Sequence, residues 1–146
     1  MTPSAVERLV RAFFDEALNA HSLEALPRFC GAGYVYHAIS DGRGDTVGLD
    51  AFAGAVAAYF EAFPDIHATV LDVIAMEDRA AVRIFETGTH EGSFMGVAAT
   101  HERMRWDTIA IYRAENGQLV EEWSVGDNLS LLQQMGAIVP AAGATL

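Results

Sequence analysis

The sequence predicts a single α+β domain: a mainly antiparallel sheet with helices packed on one face, an arrangement that, strongly curved, can wrap around the helices as a cone-shaped barrel and leave an apolar pocket. Three observations carry the prediction. Apolar residues recur at helical spacing through much of the first part of the chain. They alternate along four consecutive segments between Asp65 and Gly126. Those four segments follow one another through hairpin-like connections, which makes their pairing antiparallel.

Ser4 or Pro3 opens a first helix, in which Val6, Leu9, Val10, Phe13, Phe14, Ala17 and Leu18 form the apolar stripe opposite Glu7, Arg8, Arg11, Asp15 and Glu16. Asn19 to Ser22 breaks it, and Leu23 to Phe29 is a short second helix. Gly31 and Gly33 turn the chain into a strand, Tyr34 to Ile39, and the DGRGD stretch from Asp41 to Asp45 is a loop. An Ala-rich third helix runs from Leu49 to Phe63 and stops at Pro64. Strands follow over Asp65–Met76, Arg79–Glu91, Arg103–Arg113 and Leu119–Gly126, with turns at Glu77-Asp78 and Glu115-Asn116-Gly117 and a loop from Gly92 to His101. Asn128 to Met135 is a closing helix ended by Gly136, and the tail 137–146 reads as loose.

Composition narrows the function. The 146 residues suit one domain over 1–146, and the chain is 51% hydrophobic and 20% charged, as in soluble globular proteins. Its net charge is −11, with nine Arg and no Lys, so nucleic acid and anionic membrane surfaces are poor partners. The beginning, MTPSAVERLV, has neither the basic segment nor the apolar run of a secretory signal, and no stretch approaches the length of a membrane span; a cytoplasmic protein is expected. Cys30 stands alone in an apolar stretch and reads as a buried structural thiol. The five His form no His-x-His or His-x-x-x-His pair, so no metal site is expected, and no glycine loop has the strand–loop–helix setting of a phosphate cradle.

The residues with possible chemistry lie on the last two strands and at two strand ends. On the last strand Val120, Glu122 and Ser124 share one face, and Glu121, Trp123 and Val125 the other. Hydropathy turns the Trp123 face inward. On the preceding strand Met104, Trp106, Thr108, Ala110 and Tyr112 share a face suited to a flat conjugated ligand, with Tyr36, Tyr59 and Phe60 as further lining. Arg103, Arg105, Asp107, Ile109 and Ile111 make the opposite face, which suits a salt-bridged exterior or a dimer seam. Asp127 is placed to cap the closing helix or to act as a carboxylate base. His90, in GTHEG, and His37, in GYVYHA, sit at corresponding strand ends, where an imidazole can shuttle protons or simply hold the strand. His21, His67 and His101 read as surface or turn residues.

The motifs FPD (Phe63 to Asp65), GTHEGSFMG (Gly88 to Gly96) and the ending EEWSVGDNLSLLQQMG resemble the SnoaL-like polyketide cyclases of the nuclear transport factor 2-like superfamily, and with the first helices and GYVYH the resemblance spans nearly the whole chain. It implies a dimeric cone with a deep apolar pocket and cofactor-free ring closure by intramolecular aldol chemistry. It also puts the Glu122/Ser124 face toward the pocket, against the hydropathy reading. The cyclases' catalytic Asp falls on Ser124 and their helper His on Ala110. A Ser without a base cannot do that Asp's work, so Glu122, two residues earlier on the same face, is the natural substitute. Glu122, His90 and Asp127 are therefore the candidate catalytic residues; Tyr36, His37, Tyr59, Trp106, Thr108, Tyr112 and Ser124 are the candidate substrate contacts. The expected function is acid–base cyclisation or isomerisation of a small apolar oxygenated molecule by a homodimer without cofactor. A ligand-binding protein without catalysis is the alternative. Epoxide hydrolysis is third, because the strand on which the resemblance implies Arg-x-Asp has Arg83-Ile84-Phe85, the spacing at Arg105-Trp106-Asp107 lies on the next strand, and the position of the last-strand Asp is again Ser124.

Overall fold

The computed structural model describes residues 2–139 and 141–143. Helix α1 (Ala5–Phe13) begins where the Ser4 hydroxyl accepts the Glu7 N–H, and Glu7 pairs one turn on with Arg11 at 3.0 Å. The expected helix continues to Leu18, but its last stretch, Phe14–Leu18, widens into a π turn. Both Phe13 and Phe14 are thereby buried against Tyr112, each edge-on at 6.1 Å. The second helical stretch is a 3₁₀ turn (Leu23–Ala25) running into α2 (Leu26–Phe29).

Six strands follow where five were expected: β1 (Cys30–Ala38), β2 (Asp45–Val47), β3 (His67–Met76), β4 (Arg79–Thr89), β5 (Arg103–Glu115) and β6 (Gln118–Gly126). The addition is β2, three residues at the end of the DGRGD loop. Helix α3 (Leu49–Ala62) separates β2 from β3, and α4 (Asn128–Gln134) follows β6. The sheet order is β2-β1-β6-β5-β4-β3, antiparallel throughout except for the parallel β1–β6 pair. The sheet is curved but open, with β2 and β3 as edges. Register shifts in β1, β3 and at the β5–β6 turn mark bulges, which add twist and bend. The Asn116-Gly117 turn takes the expected left-handed backbone, φ 51° and 77°.

The edge strand β3 is closed off by a side chain. Asn19, read in the sequence only as a helix breaker, donates from Nδ2 to Ala68 O and accepts from Ala68 N–H, both at 2.8 Å. It thus imitates a neighbouring strand and ties the helical layer to the sheet edge.

Strand alternation settles which face is inside. On β6 Leu119, Glu122 and Ser124 are buried, whereas Trp123 lies outside, stacked on His37 at 5.1 Å and under Arg79. Hydropathy failed here because an indole is as well served by a stacked imidazole and a guanidinium on the outer surface as by a core. On β5 Met104, Trp106, Ala110 and Tyr112 are buried, and Arg103, Arg105, Asp107, Ile109 and Ile111 exposed, as the spacing predicts. Cys30 is buried, and burial beside Glu122 pushes its thiol well up, which makes it unreactive. Of the tail 137–146, Ala137 and Ile138 still donate to Leu132 O, while residues 140 and 144–146 lie outside the described residues.

Two glycines let α3 meet β4 closely. Phe63, just past the helix, lies over Gly88, and the N–H groups of Glu91 and Gly92 both donate to Ala62 O at 2.9 and 3.2 Å. A Cβ on Gly92 would stand 2.4 Å from the Glu61 carbonyl oxygen, an impossible contact that backbone would have to relieve. Gly92→Ala should therefore cost about 1–3 kcal/mol of stability, read from urea unfolding. An unchanged midpoint would show that the close approach of α3 and β4 is not rigid.

Candidate active site

A cavity of about 120 Å³ opens between the concave face of the sheet and the helices α1 and α3. That is close to the free space that accommodates one benzene ring. Its walls are mostly apolar, from Phe13, Phe14, Phe52, Val56, Ile84 and Trp106. Polar groups enter at defined levels, because the ladder sets residues of β4, β5 and β6 side by side in rows. Glu122 pairs with Tyr112, Ser124 with Ala110, and Gly126 with Thr108. One strand on, Thr108 pairs with Ile84 and Trp106 with Glu86.

Glu122 occupies the deepest polar row. Its side chain is buried, and each carboxyl oxygen meets a tyrosine: Tyr34 Oη donates to Oε2 at 2.6 Å and Tyr112 Oη to Oε1 at 3.3 Å. Burial is the largest influence on it, and the hydroxyls, which favour the carboxylate, offset only part; Glu86 adds repulsion. The carboxyl is pushed from its ordinary 4.5 up to about 7. The two phenols are themselves pushed well above the usual range by burial and by the carboxylate.

Seven of the ten candidate residues share this cavity: Glu122, Ser124, Tyr36, Tyr59, Trp106, Thr108 and Tyr112. The other three lie elsewhere. His37 alternates with Tyr36 and so faces outward, bonded to Asp45 at 2.7 Å and Glu121 at 2.9 Å. Those partners, Glu121 foremost, raise its pKa against the effect of burial. Asp127 accepts the Ser130 N–H at 3.0 Å and caps α4. His90 is fully buried off the cavity against Phe63, and its Nδ1 accepts the Thr100 N–H at 3.2 Å. That bond puts the ring hydrogen on Nε2, which has no hydrogen-bond partner among the described residues. Arg105 and Asp107, the spacing considered for epoxide hydrolysis, both point to the outer face.

The cavity also holds groups the sequence reading missed. Glu86 lines it from β4, accepting the Thr108 hydroxyl at 2.6 Å, and burial raises its pKa against bonds from Thr108 and Trp106. The signal was present: Ala80, Val82, Ile84, Glu86 and Gly88 share the inward phase of β4, so an acid stands in an apolar row. Asp41 sits at the rim beside Ser40 and Asn128, held by Arg43 Nη2 at 2.7 Å. Burial would raise its pKa, but the Arg43 bonds outweigh that and lower it. Among the described residues no three His, Cys, Asp or Glu side chains group so as to hold a metal ion, and no helix is long and apolar enough to cross a membrane.

A family model of the SnoaL-like polyketide cyclases matches residues 8–135. Among solved structures, AclR from Streptomyces galilaeus, a candidate hydroxylase, superposes with a TM-score of 0.79 at 29% identity, covering 93% of this chain and 85% of that one. IdmH from Streptomyces antibioticus, a candidate polyketide cyclase, does so with a TM-score of 0.76 at 28% identity, covering 90% and 98%. A candidate SnoaL-like polyketide cyclase from a Jannaschia species reaches a TM-score of 0.85 at 20% identity, covering 95% and 99%, and at that identity shows the fold alone. No curated protein matches the chain significantly.

The raised carboxyl has a stability signature. A group that holds its proton more tightly folded than unfolded stabilises the fold below its unfolded pKa, and that contribution is lost as pH rises through the folded value. For Glu122 the window runs from 4.5 to about 7 and spans roughly 3 kcal/mol. Glu122→Gln should therefore gain stability relative to the wild type between pH 5 and pH 8, measured by urea unfolding at both. A difference between the two proteins that does not change with pH would contradict the raised carboxyl.

Proposed function

The chain belongs to the SnoaL-like polyketide cyclase family, and on that premise we propose that it is a cofactor-independent enzyme of the cyclase or isomerase type, acting by acid–base catalysis on a small, apolar, polyketide-like carbonyl compound. One observation supports the reading above the others: Glu122, buried at the deep end of an apolar cavity and pushed up to about 7, is present in both protonation states at neutral pH. In its acid form it gives a proton to a carbonyl oxygen as the neighbouring C–H bond is broken; as the carboxylate it takes that proton back. Ser124 and Tyr36 supply further hydrogen bonds to oxygens higher in the cavity, and the Thr108 oxygen, whose hydrogen goes to Glu86, accepts from a substrate hydroxyl. One ring fits inside, and the rest of a larger substrate extends past Ser40, Asp41 and Asn128 at the rim.

The chemistry can be tested with 2-tetralone, a flat ketone with exchangeable hydrogens beside its carbonyl. The wild type should accelerate deuterium uptake from D₂O, followed by proton NMR, and Glu122→Gln should lose about 10²–10⁴ of that acceleration. Equal rates for the two proteins would remove Glu122 from the reaction.

The proposal extends to a homodimer built on the outer face of the sheet. Ile74, Ala81, Ile111 and Trp123 form one continuous row across four strands there, with Ile109 and Val125 paired beside them. Ile74 is 75% exposed and Ile109 57%, an apolar face that a second copy would cover. Ile111→Glu should give a monomer by analytical ultracentrifugation while the wild type sediments as a dimer; a monomeric wild type would rule this face out.

A further inference from the structure

Protonation of a carbonyl oxygen by Glu122 is half of an enolisation, since the proton leaving carbon needs an acceptor. The groups around Glu122 restrict the choice. Cys30, Tyr34, Tyr36, Tyr59 and Tyr112 are all pushed up and remain neutral acids, useless as bases near neutral pH. Asp41 is at the rim and engaged by Arg43 through three hydrogen bonds. Ser124 and Thr108 are hydroxyls. That leaves Glu86, which reaches the same cavity from β4, two strands from Glu122. It lies within electrostatic reach of Glu122, and Tyr36 and Tyr59 sense both carboxyls.

We propose that Glu86 is the second catalytic carboxyl of this cavity, the base that takes the carbon-bound proton while Glu122 protonates the carbonyl oxygen. The inference rests on the acid–base reading of Glu122 given above. The Thr108 hydroxyl, donating to Glu86 Oε2 at 2.6 Å, favours its carboxylate and fixes its direction. Burial raises Glu86 as well, but two like charges in one cavity cannot both form at low cost, so whenever Glu86 is ionised Glu122 holds its proton.

The step balances without a co-reactant. The Glu86 carboxylate takes the proton from the carbon next to the carbonyl. The C–H electron pair becomes the enol double bond, and the carbonyl π pair moves onto oxygen and binds the Glu122 proton. For ring closure, the enol carbon then bonds to a second carbonyl carbon of the same molecule. The oxygen of that carbonyl takes the proton held by Glu86, and the enol O–H returns its proton to Glu122. Both carboxyls end as they began, and the product is an isomer of the substrate.

Two measurements test this with separate failures. In protein labelled with ¹³C at the glutamate carboxyl carbons, the Glu122 titration followed by NMR should move to lower pH in Glu86→Gln, because a neighbouring negative charge is gone. In the 2-tetralone exchange assay, Glu86→Gln should lose about 10²–10⁴ in kcat with KM changed less than about threefold, and Glu86→Asp should recover part of the loss. A Glu122 titration unmoved by Glu86→Gln, or a wild-type exchange rate in that variant, overturns the role of Glu86. Glu122→Gln at the wild-type rate would instead overturn the reading beneath it.

Discussion

The structure turns on one buried carboxyl held between two phenols. Tyr34 comes from β1, Tyr112 from β5 and Glu122 from β6, so the three groups join the adjacent strands of the sheet at the point where the parallel pair begins. Tyr112 also carries the contacts to Phe13 and Phe14, and Tyr34 packs against Phe52 of α3, the rings tilted with centroids 4.5 Å apart. Each phenol thus has its ring in the helical core and its hydroxyl on the acid. The first and third helices are positioned against the sheet by the same two side chains that make the acid's burial tolerable.

Burial and hydrogen bonding oppose each other at this point, and burial wins. Two donated hydrogen bonds favour a carboxylate, and fully solvated they would leave it an ordinary acid. Here the solvent has been replaced by Phe13, Phe14 and Tyr112, and a second carboxyl lies across the cavity. The outcome is an acid near neutrality at a steady cost to stability above pH 7. A purely structural role would be served as well by a neutral amide or an apolar residue of similar size. Retaining a carboxyl where it destabilises the fold is the pattern expected of a group kept for its proton.

The sequence revealed the layout of the sheet and the apolar half of the cavity, because both depend on periodicity. The β5 face of Met104, Trp106, Thr108, Ala110 and Tyr112 was legible for that reason. Three things were not. The facing of β6 needed more than hydropathy, since Trp123 is satisfied outside by His37 and Arg79. His37 and His90 carried the right chemistry, but their partners lie at Glu121 and Thr100, and only the fold shows these to be outer-face and interior positions; the cap at Asp127, by contrast, was legible from its place before the closing helix, and it bonds Ser130 as that place implies. Glu86 was overlooked because its strand was read for regularity rather than for the one residue in its inward row that breaks it.

The position of the acid along β6 carries its own consequence for the substrate. The resemblance to the cyclases places their Asp at Ser124 and their His at Ala110, and these two residues are neighbours across the β5–β6 ladder. Neither is ionisable, so no acid stands at the level where the resemblance puts one. Glu122 stands two residues along the strand, about 7 Å away by strand geometry. The direction is inward, because Gly126 and Asn128 lie toward the rim with Ser40, whereas Glu122 is closed in by Tyr34 and Tyr112. A substrate carbonyl must therefore travel past the Ser124 level to meet it. The side chains lining that path, Tyr36, Trp106 and Thr108, then determine which ring can make the descent. Specificity in this protein is thus tied to depth: a ligand that stops at the level of Ser124 does not reach the proton of Glu122.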